Sequence, residues 1–128
     1  MTTLGRPSSK IGLVGLKAFF RIADLWDLSV KQQMLLLGLD SQSTFYNWKN
    51  DPSSARLDRD KTERLSLVLG IYKDLQVLLP NNTSADLWLT RPNEDSMFGG
   101  RPPIEFVSSG QITDMFLLRQ HLSRAVSR

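Results

Sequence analysis

Apolar residues recur at three- and four-residue intervals along most of this chain. Leu16, Phe19, Phe20, Ala23 and Trp26 fall on one face, which predicts an amphipathic helix over about 12–26. Ser29 and Gln32 have capping-box spacing, in which each side chain bonds the other residue's free backbone N–H. They predict a second helix over about 30–37, ended by Gly38, where a left-handed backbone is cheap. Asp40 or Ser41 can cap a third helix over about 41–50, with Phe45 and Trp48 inward. Asn50, Asp51, Pro52, Ser53 and Ser54 form a breaker cluster. Leu57-Asp58 then reads as a hydrophobic residue followed by an N-cap. A long helix is expected from about 59, with Leu65, Val68, Leu69, Tyr72 and Leu79 on one face. Gly70 is expected to kink or divide it, and Pro80-Asn81-Asn82 to close it.

Beyond this break, Ser84 is expected to cap a short helix carrying Leu87 and Trp88, stopped by Pro92-Asn93. Residues 93–103 read as a Gly/Pro loop. Pro103 suits the first turn of a short helix over 103–108, which Gly110 can terminate. A last helix over about 111–125 turns Ile112, Met115, Leu118, Leu122 and Ala125 inward. No segment alternates polar and apolar long enough for a strand, so the expected fold is all-α. Its expected parts are a flexible N-terminus (1–10), a helical bundle containing a helix-turn-helix (11–80) and a small helical domain (81–128).

Length and charge narrow the picture. The 128 residues suit one domain, or two very small ones sharing a core. The absence of Cys excludes a disulfide framework, a Cys-based zinc finger and a thiol nucleophile. The longest apolar run, 34–37, falls far short of the ~20 residues that span a bilayer, and residues 1–9 carry no apolar core of a secretory signal. A soluble, cytoplasmic protein is expected. Residues 1–80 hold 11 Lys/Arg and 8 Asp/Glu (11 − 8 = +3), whereas 81–128 hold 5 of each (5 − 5 = 0). A basic front half suits contact with a polyanion.

Residues 29–50 have the outline of a helix-turn-helix, whose second helix can lie in a DNA major groove. With Phe45 and Trp48 inward, Gln42, Ser43, Tyr46, Asn47 and Lys49 face out. Gln and Asn can pair bidentately with adenine, and Lys49 can reach phosphate or guanine. Lys31, Arg56, Arg59, Lys61 and Arg64 could hold phosphates from flanking elements. The same pattern also suits two packed helices with a solvated face. So few phosphate contacts would give modest, salt-sensitive affinity, which a dimer would raise. Catalytic groups are sparse. His121 is the single His, Glu94, Asp95 and Glu105 read as loop charges, and Gly99-Gly100 lacks the strand and downstream Lys of a phosphate loop. No nucleophile, base and orienter can be assembled, so neither an enzyme nor a metal or cofactor site is expected. The stretch Phe98-Gly99-Gly100-Arg101-Pro102-Pro103 either buries Phe98 in a turn or presents an aromatic and an Arg, types enriched at interface hot spots.

The ordered set Ile22-Ala23-Asp24-Leu25-Trp26-Asp27-Leu28-Ser29, Leu36-Leu37-Gly38 and Ser43-Thr44-Phe45-Tyr46-Asn47-Trp48 resembles the N-terminal half of the Xre/MbcA/ParS antitoxin family. Residues 64–72 look like its central helix. Trp88-Leu89, Pro92-Asn93, Phe98-Gly99-Gly100, Pro102-Pro103, Gly110 and the segment 118–122 look like its toxin-binding domain. The likeness spans about residues 12–125 and implies the antitoxin of a type II toxin–antitoxin pair, not an enzyme. It further implies a RES-domain, NAD-consuming toxin as partner, inhibition by closing off the toxin's NAD site, autorepression at operator DNA, and dimers. Residues 81–128 would then be the toxin-binding domain, with Trp88, Asn93, Phe98, Gly99, Gly100, Arg101, Pro102, Arg119, Arg124 and Arg128 as contact candidates. The tail 124–128 would lie near the NAD pocket. His121-Leu122-Ser123 stands where relatives often carry a Tyr-Leu-Asp-like stretch, and the recognition helix holds no Arg. A stand-alone repressor in which 81–128 only dimerises remains the alternative.

Overall fold

A computed structural model describes residues 10–128, so the flexible N-terminus expected over 1–10 lies outside the described part except for Lys10, which opens the first helix. The described residues form seven α-helices and no strand: α1 Lys10–Leu25, α2 Val30–Leu37, α3 Gln42–Asn50, α4 Arg59–Leu78, α5 Asn82–Trp88, α6 Pro103–Val107 and α7 Ile112–Val126. A single 3-10 turn, Pro52–Ser54, follows α3. The expected all-α fold is what these residues form.

The helix ends follow local chemistry. α1 stops because Asp27 takes a left-handed conformation (φ 55°), letting the Asp27 N–H reach the Asp24 carbonyl and the Leu28 N–H the Ala23 carbonyl. The Ser29–Gln32 capping box is formed in both directions. Ser41 and Asp58 cap α3 and α4 through their side chains. α5 is capped one residue before its first turn by Asn81, whose side chain accepts from the Ser84 N–H, so the expected Ser84 cap is corrected. An amide oxygen at Asn81 reaches that donor, while Ser84 already lies inside the helix.

One continuous core contains residues from both halves of the chain. Phe19, Phe20 and Phe45 stack edge to face, with centroids 5.5 and 5.7 Å apart, and so lock α1 onto α3. α4 runs through the centre, packing against α1 on one side and α7 on the other. Its buried positions are Leu65, Leu67, Val68, Ile71 and Leu75, joined by the polar Arg64 and Asp74. Leu69, Tyr72 and Leu79, expected on that face with Leu65 and Val68, are only partly buried against it. The inward face is therefore wider than expected, because α1, α2, α5 and α7 all contact α4. Met115, Leu118 and Leu122 of α7 fill the far side.

Two arginines cross this core. Arg64 is 7% exposed. Its Nε donates to Asp60 at 3.0 Å, Nη1 to the carbonyls of Leu35 (3.1 Å) and Leu36 (3.4 Å), and Nη2 to the Gly110 carbonyl (3.0 Å). It thus adds a donor to the Leu35 carbonyl, which also accepts from the Gly38 N–H, reaches the Leu36 carbonyl, and ties this end of α2 to the turn before α7. Gly38 is required beside it on two counts. Its φ is +72°, and a Cβ there would sit 2.8 Å from the Arg64 Nε. The second arginine, Arg119, donates to the buried Asp74 carboxylate at 2.7 Å, and Ser123 donates to the same oxygen at 3.1 Å. Arg119 reaches Asp74 by lying across Gly70, where any Cβ would collide with its guanidinium. Gly70 is thus a passage for a side chain, and α4 runs through it undivided, contrary to the expected kink.

Arg64→Met is expected to lower unfolding free energy by about 3 kcal/mol, since it strands several carbonyl acceptors, and urea denaturation followed by circular dichroism would measure this. Gly70→Ala in an ordinary helix stabilises by up to about 1 kcal/mol. Here it should destabilise by roughly 1–2 kcal/mol by displacing Arg119 from a buried carboxylate. In an Arg119→Ala background the sign should reverse.

Candidate nucleic-acid and protein interfaces

α2, the turn 38–41 and α3 make the helix-turn-helix. Gln33 fixes the entry to α2, since its buried Nε2 donates to the Leu28 carbonyl at 3.0 Å. Phe45 and Trp48 anchor α3 inward, as their spacing indicates. Gln42, Ser43, Tyr46, Asn47 and Lys49 all face outward. The side chains of Gln42, Asn47 and Lys49 hold no hydrogen bond or ion pair among the described residues. Ser43 shares a 3.0 Å contact with the Ser41 hydroxyl, and the Tyr46 ring leans on Phe45 at 5.2 Å with its hydroxyl unengaged among the described residues. Lys31 on α2 and Arg56 after the 3-10 turn are also exposed.

The other expected phosphate holders divide. Arg59 is exposed but paired with Glu63 at 3.2 Å, and Lys61 lies 3.4 Å from Asp60. Arg64 does not hold phosphate, because its N–H groups are spent on carbonyls and a carboxylate inside the fold.

In the second half, the loop after α5 is tightly built. The Gly100 N–H donates to the Asn93 carbonyl at 2.9 Å, and the Asn93 N–H to the Arg101 carbonyl at 3.2 Å. The Asn93 side chain accepts from the Asp95 N–H, and the Asp95 side chain from the Met97 N–H. Gly99 and Gly100 turn through left-handed conformations (φ 60° and 85°). Phe98 is 6% exposed and meets Trp88, Phe106 and His121 edge to face at 5.8, 6.1 and 6.0 Å. Of the two readings of this stretch, the packing one applies to Phe98, while Arg101 and Gly99 stand exposed at the tip. A groove of about 470 Å³ runs beside them between Met97, Phe98, Pro102 and Phe106. His121 Nε2 lies 3.7 Å from the Asp95 carboxylate at the loop's base.

The arginines of α7 also separate. Arg124 and Arg128 are exposed at its C-terminal end. Arg119, expected at a toxin contact, is a positioning group whose charge is taken up by Asp74, although its side chain stays 32% exposed. Sequence reasoning missed Asp74 and the purpose of Arg64. The available signal was an Asp and an Arg on the buried face of an otherwise apolar central helix, where an ion cannot stand alone.

No described helix is long and apolar enough to cross a membrane, and no described cluster of His, Asp and Glu could hold a metal ion.

Comparison with known proteins agrees with this geometry. Residues 13–70 match the model of the antitoxin Xre-like helix-turn-helix domain, which covers α1–α3 and the first part of α4. The chain is also similar to the uncharacterized protein y4oB of Sinorhizobium fredii (strain NBRC 101917 / NGR234), with 41% identity over 107 residues, 84% of this chain and 80% of the relative. The matched segment contains the α2–turn–α3 unit and the aromatic packing that holds it, and the likeness to the relative spans most of the chain. The protein belongs to one family with y4oB, and its residues 13–70 carry an antitoxin Xre-like helix-turn-helix domain.

Proposed function

We propose that this protein is the antitoxin of a type II toxin–antitoxin system. It neutralises a RES-type, NAD-consuming toxin by binding it through residues 81–128 and blocking its active site, and it represses its own operon through the helix-turn-helix. The observation that carries the inhibitory half is the prefolded loop 93–103. It presents Arg101 beside an open groove, with no function in its own core for that cation. Preorganisation removes much of the ordering cost of binding, and Arg is a residue type that anchors interfaces. Arg124 and Arg128 extend the cationic edge at the end of α7, where charge complementarity can steer them toward an anion-binding pocket. Trp88, Asn93, Phe98, Gly99, Gly100 and Pro102 shape the loop, and Arg119 braces α7 behind it. The repressor half rests on Lys31, Gln42, Ser43, Tyr46, Asn47, Lys49 and Arg56, all of which are exposed in or beside the helix-turn-helix.

A second reading has its own observation. Phe116 and Leu117 of α7 are 50% and 44% exposed, which suits a repressor whose second half joins two copies. The protein encoded by the adjacent gene distinguishes the two. Under the antitoxin reading it should be toxic when expressed alone, and this chain should co-purify with it and restore growth. Absence of both complex and rescue would overturn that reading. Arg101→Glu and Arg124→Glu are each expected to weaken the complex at least about ten-fold by calorimetry, with melting temperatures unchanged. On promoter DNA, Lys49→Ala and Arg56→Ala should each lower the slope of log affinity against log salt by about 1, measured by gel shift across a salt series.

A further inference from the structure

We infer that the DNA-reading face of α3 selects adenine, so that the operator half-sites are A·T-rich at the contacted positions. This rests on the DNA-binding reading above and goes further by naming the base. Gln42 and Ser43 open the helix and Tyr46 and Asn47 stand one turn on, so the four make one continuous patch at the end that enters a major groove first. The patch contains two carboxamides, a hydroxyl and a phenol, and neither a guanidinium nor a carboxylate. A carboxamide accepts from the adenine N6 amino group while donating to N7, whereas guanine offers two acceptors that suit Arg or Lys.

Three features of the geometry support this assignment. The Gln42 and Asn47 amides have no intramolecular partner among the described residues, so nothing in the fold competes for them. Tyr46, 45% exposed, offers an apolar ring edge between them, suited to the thymine methyl group. The nearest cations lie off the patch. Lys49 is in the last turn of α3, Arg56 follows the 3-10 turn and Lys31 is on α2, positions from which side chains meet phosphates. Arg64 is locked inside the fold and cannot supply a guanine contact.

The test uses the full-length chain at low salt and selection from a random duplex pool, followed by gel shifts on the selected site. Enriched half-sites should carry adenines at fixed positions. Replacing those adenines with 7-deazaadenine, which lacks the N7 acceptor, should weaken binding about ten-fold, and 7-deazaguanine elsewhere should not. Gln42→Ala and Asn47→Ala should each lower the ratio of affinity for the selected site over that for the same site with its adenines replaced by about ten-fold. Half-sites fixed by guanine, or variants that keep the full sequence preference, would overturn the assignment of adenine and leave DNA binding standing. Failure to retain any duplex would overturn the DNA-binding reading and this inference with it.

Discussion

The arrangement of the molecule depends on one buried guanidinium. Arg64 answers carbonyls at the end of α2 and the carbonyl of Gly110 with a single planar group, and Asp60 balances its charge from one turn back. Taking an ion out of water is tolerable only when its hydrogen-bonding capacity is met, and the fork of an arginine meets acceptors in several directions at once. A lysine ammonium at the same place would present a compact point charge and could not span them. The contact lies beneath the turn that sets the angle between α2 and α3, so the pose of the outward helix is fixed from within. Gly38 belongs to the same device, because its left-handed backbone closes α2 and Arg64 fills the room a Cβ would need.

Charge is distributed by a similar logic. The excess positive charge of the front half is not all available to a polyanion, since Arg64 is spent internally and Arg59 is paired with Glu63. Exposed cations with no ion pair among the described residues include Lys31, Lys49 and Arg56 in and beside the helix-turn-helix, and Lys10, Lys17, Arg21 and Lys73 on α1 and α4. In the balanced second half, Arg119 is consumed by Asp74, which leaves Arg91 after α5, Arg101 at the loop tip and Arg124 and Arg128 at the helix end. Burial thus sorts residues of one chemical type into braces and contacts.

Much of the fold could be read from the chain because its signals are local. The Ser29–Gln32 box, the Asp58 cap, Pro103 in a first turn and the Phe45–Trp48 spacing are set within four residues, and each formed as its pattern indicates. The outward face of α3 followed directly from its inward one. The remainder depends on residues far apart in sequence. Arg64 meets partners 29 and 46 positions away, and Arg119 meets Asp74 at a separation of 45. No periodicity encodes such pairs, so both arginines read as surface charges and Gly70 as a break. Phe98 was ambiguous for the same reason, since Trp88, Phe106 and His121 converge on it from three elements.

The packing of α7 along α4 has a consequence for the lifetime of the whole chain. Leu67, Ile71 and Leu75 belong to the front segment, yet they share one core with Met115, Leu118 and Leu122 of the rear. The backbone link at Pro80 is exposed, but the seam it bridges is apolar and continuous. A protease that removed the rear helices would strip the central helix of its cover and loosen the helix-turn-helix along with them. Cleavage at that link would therefore unseat both segments rather than release either one intact.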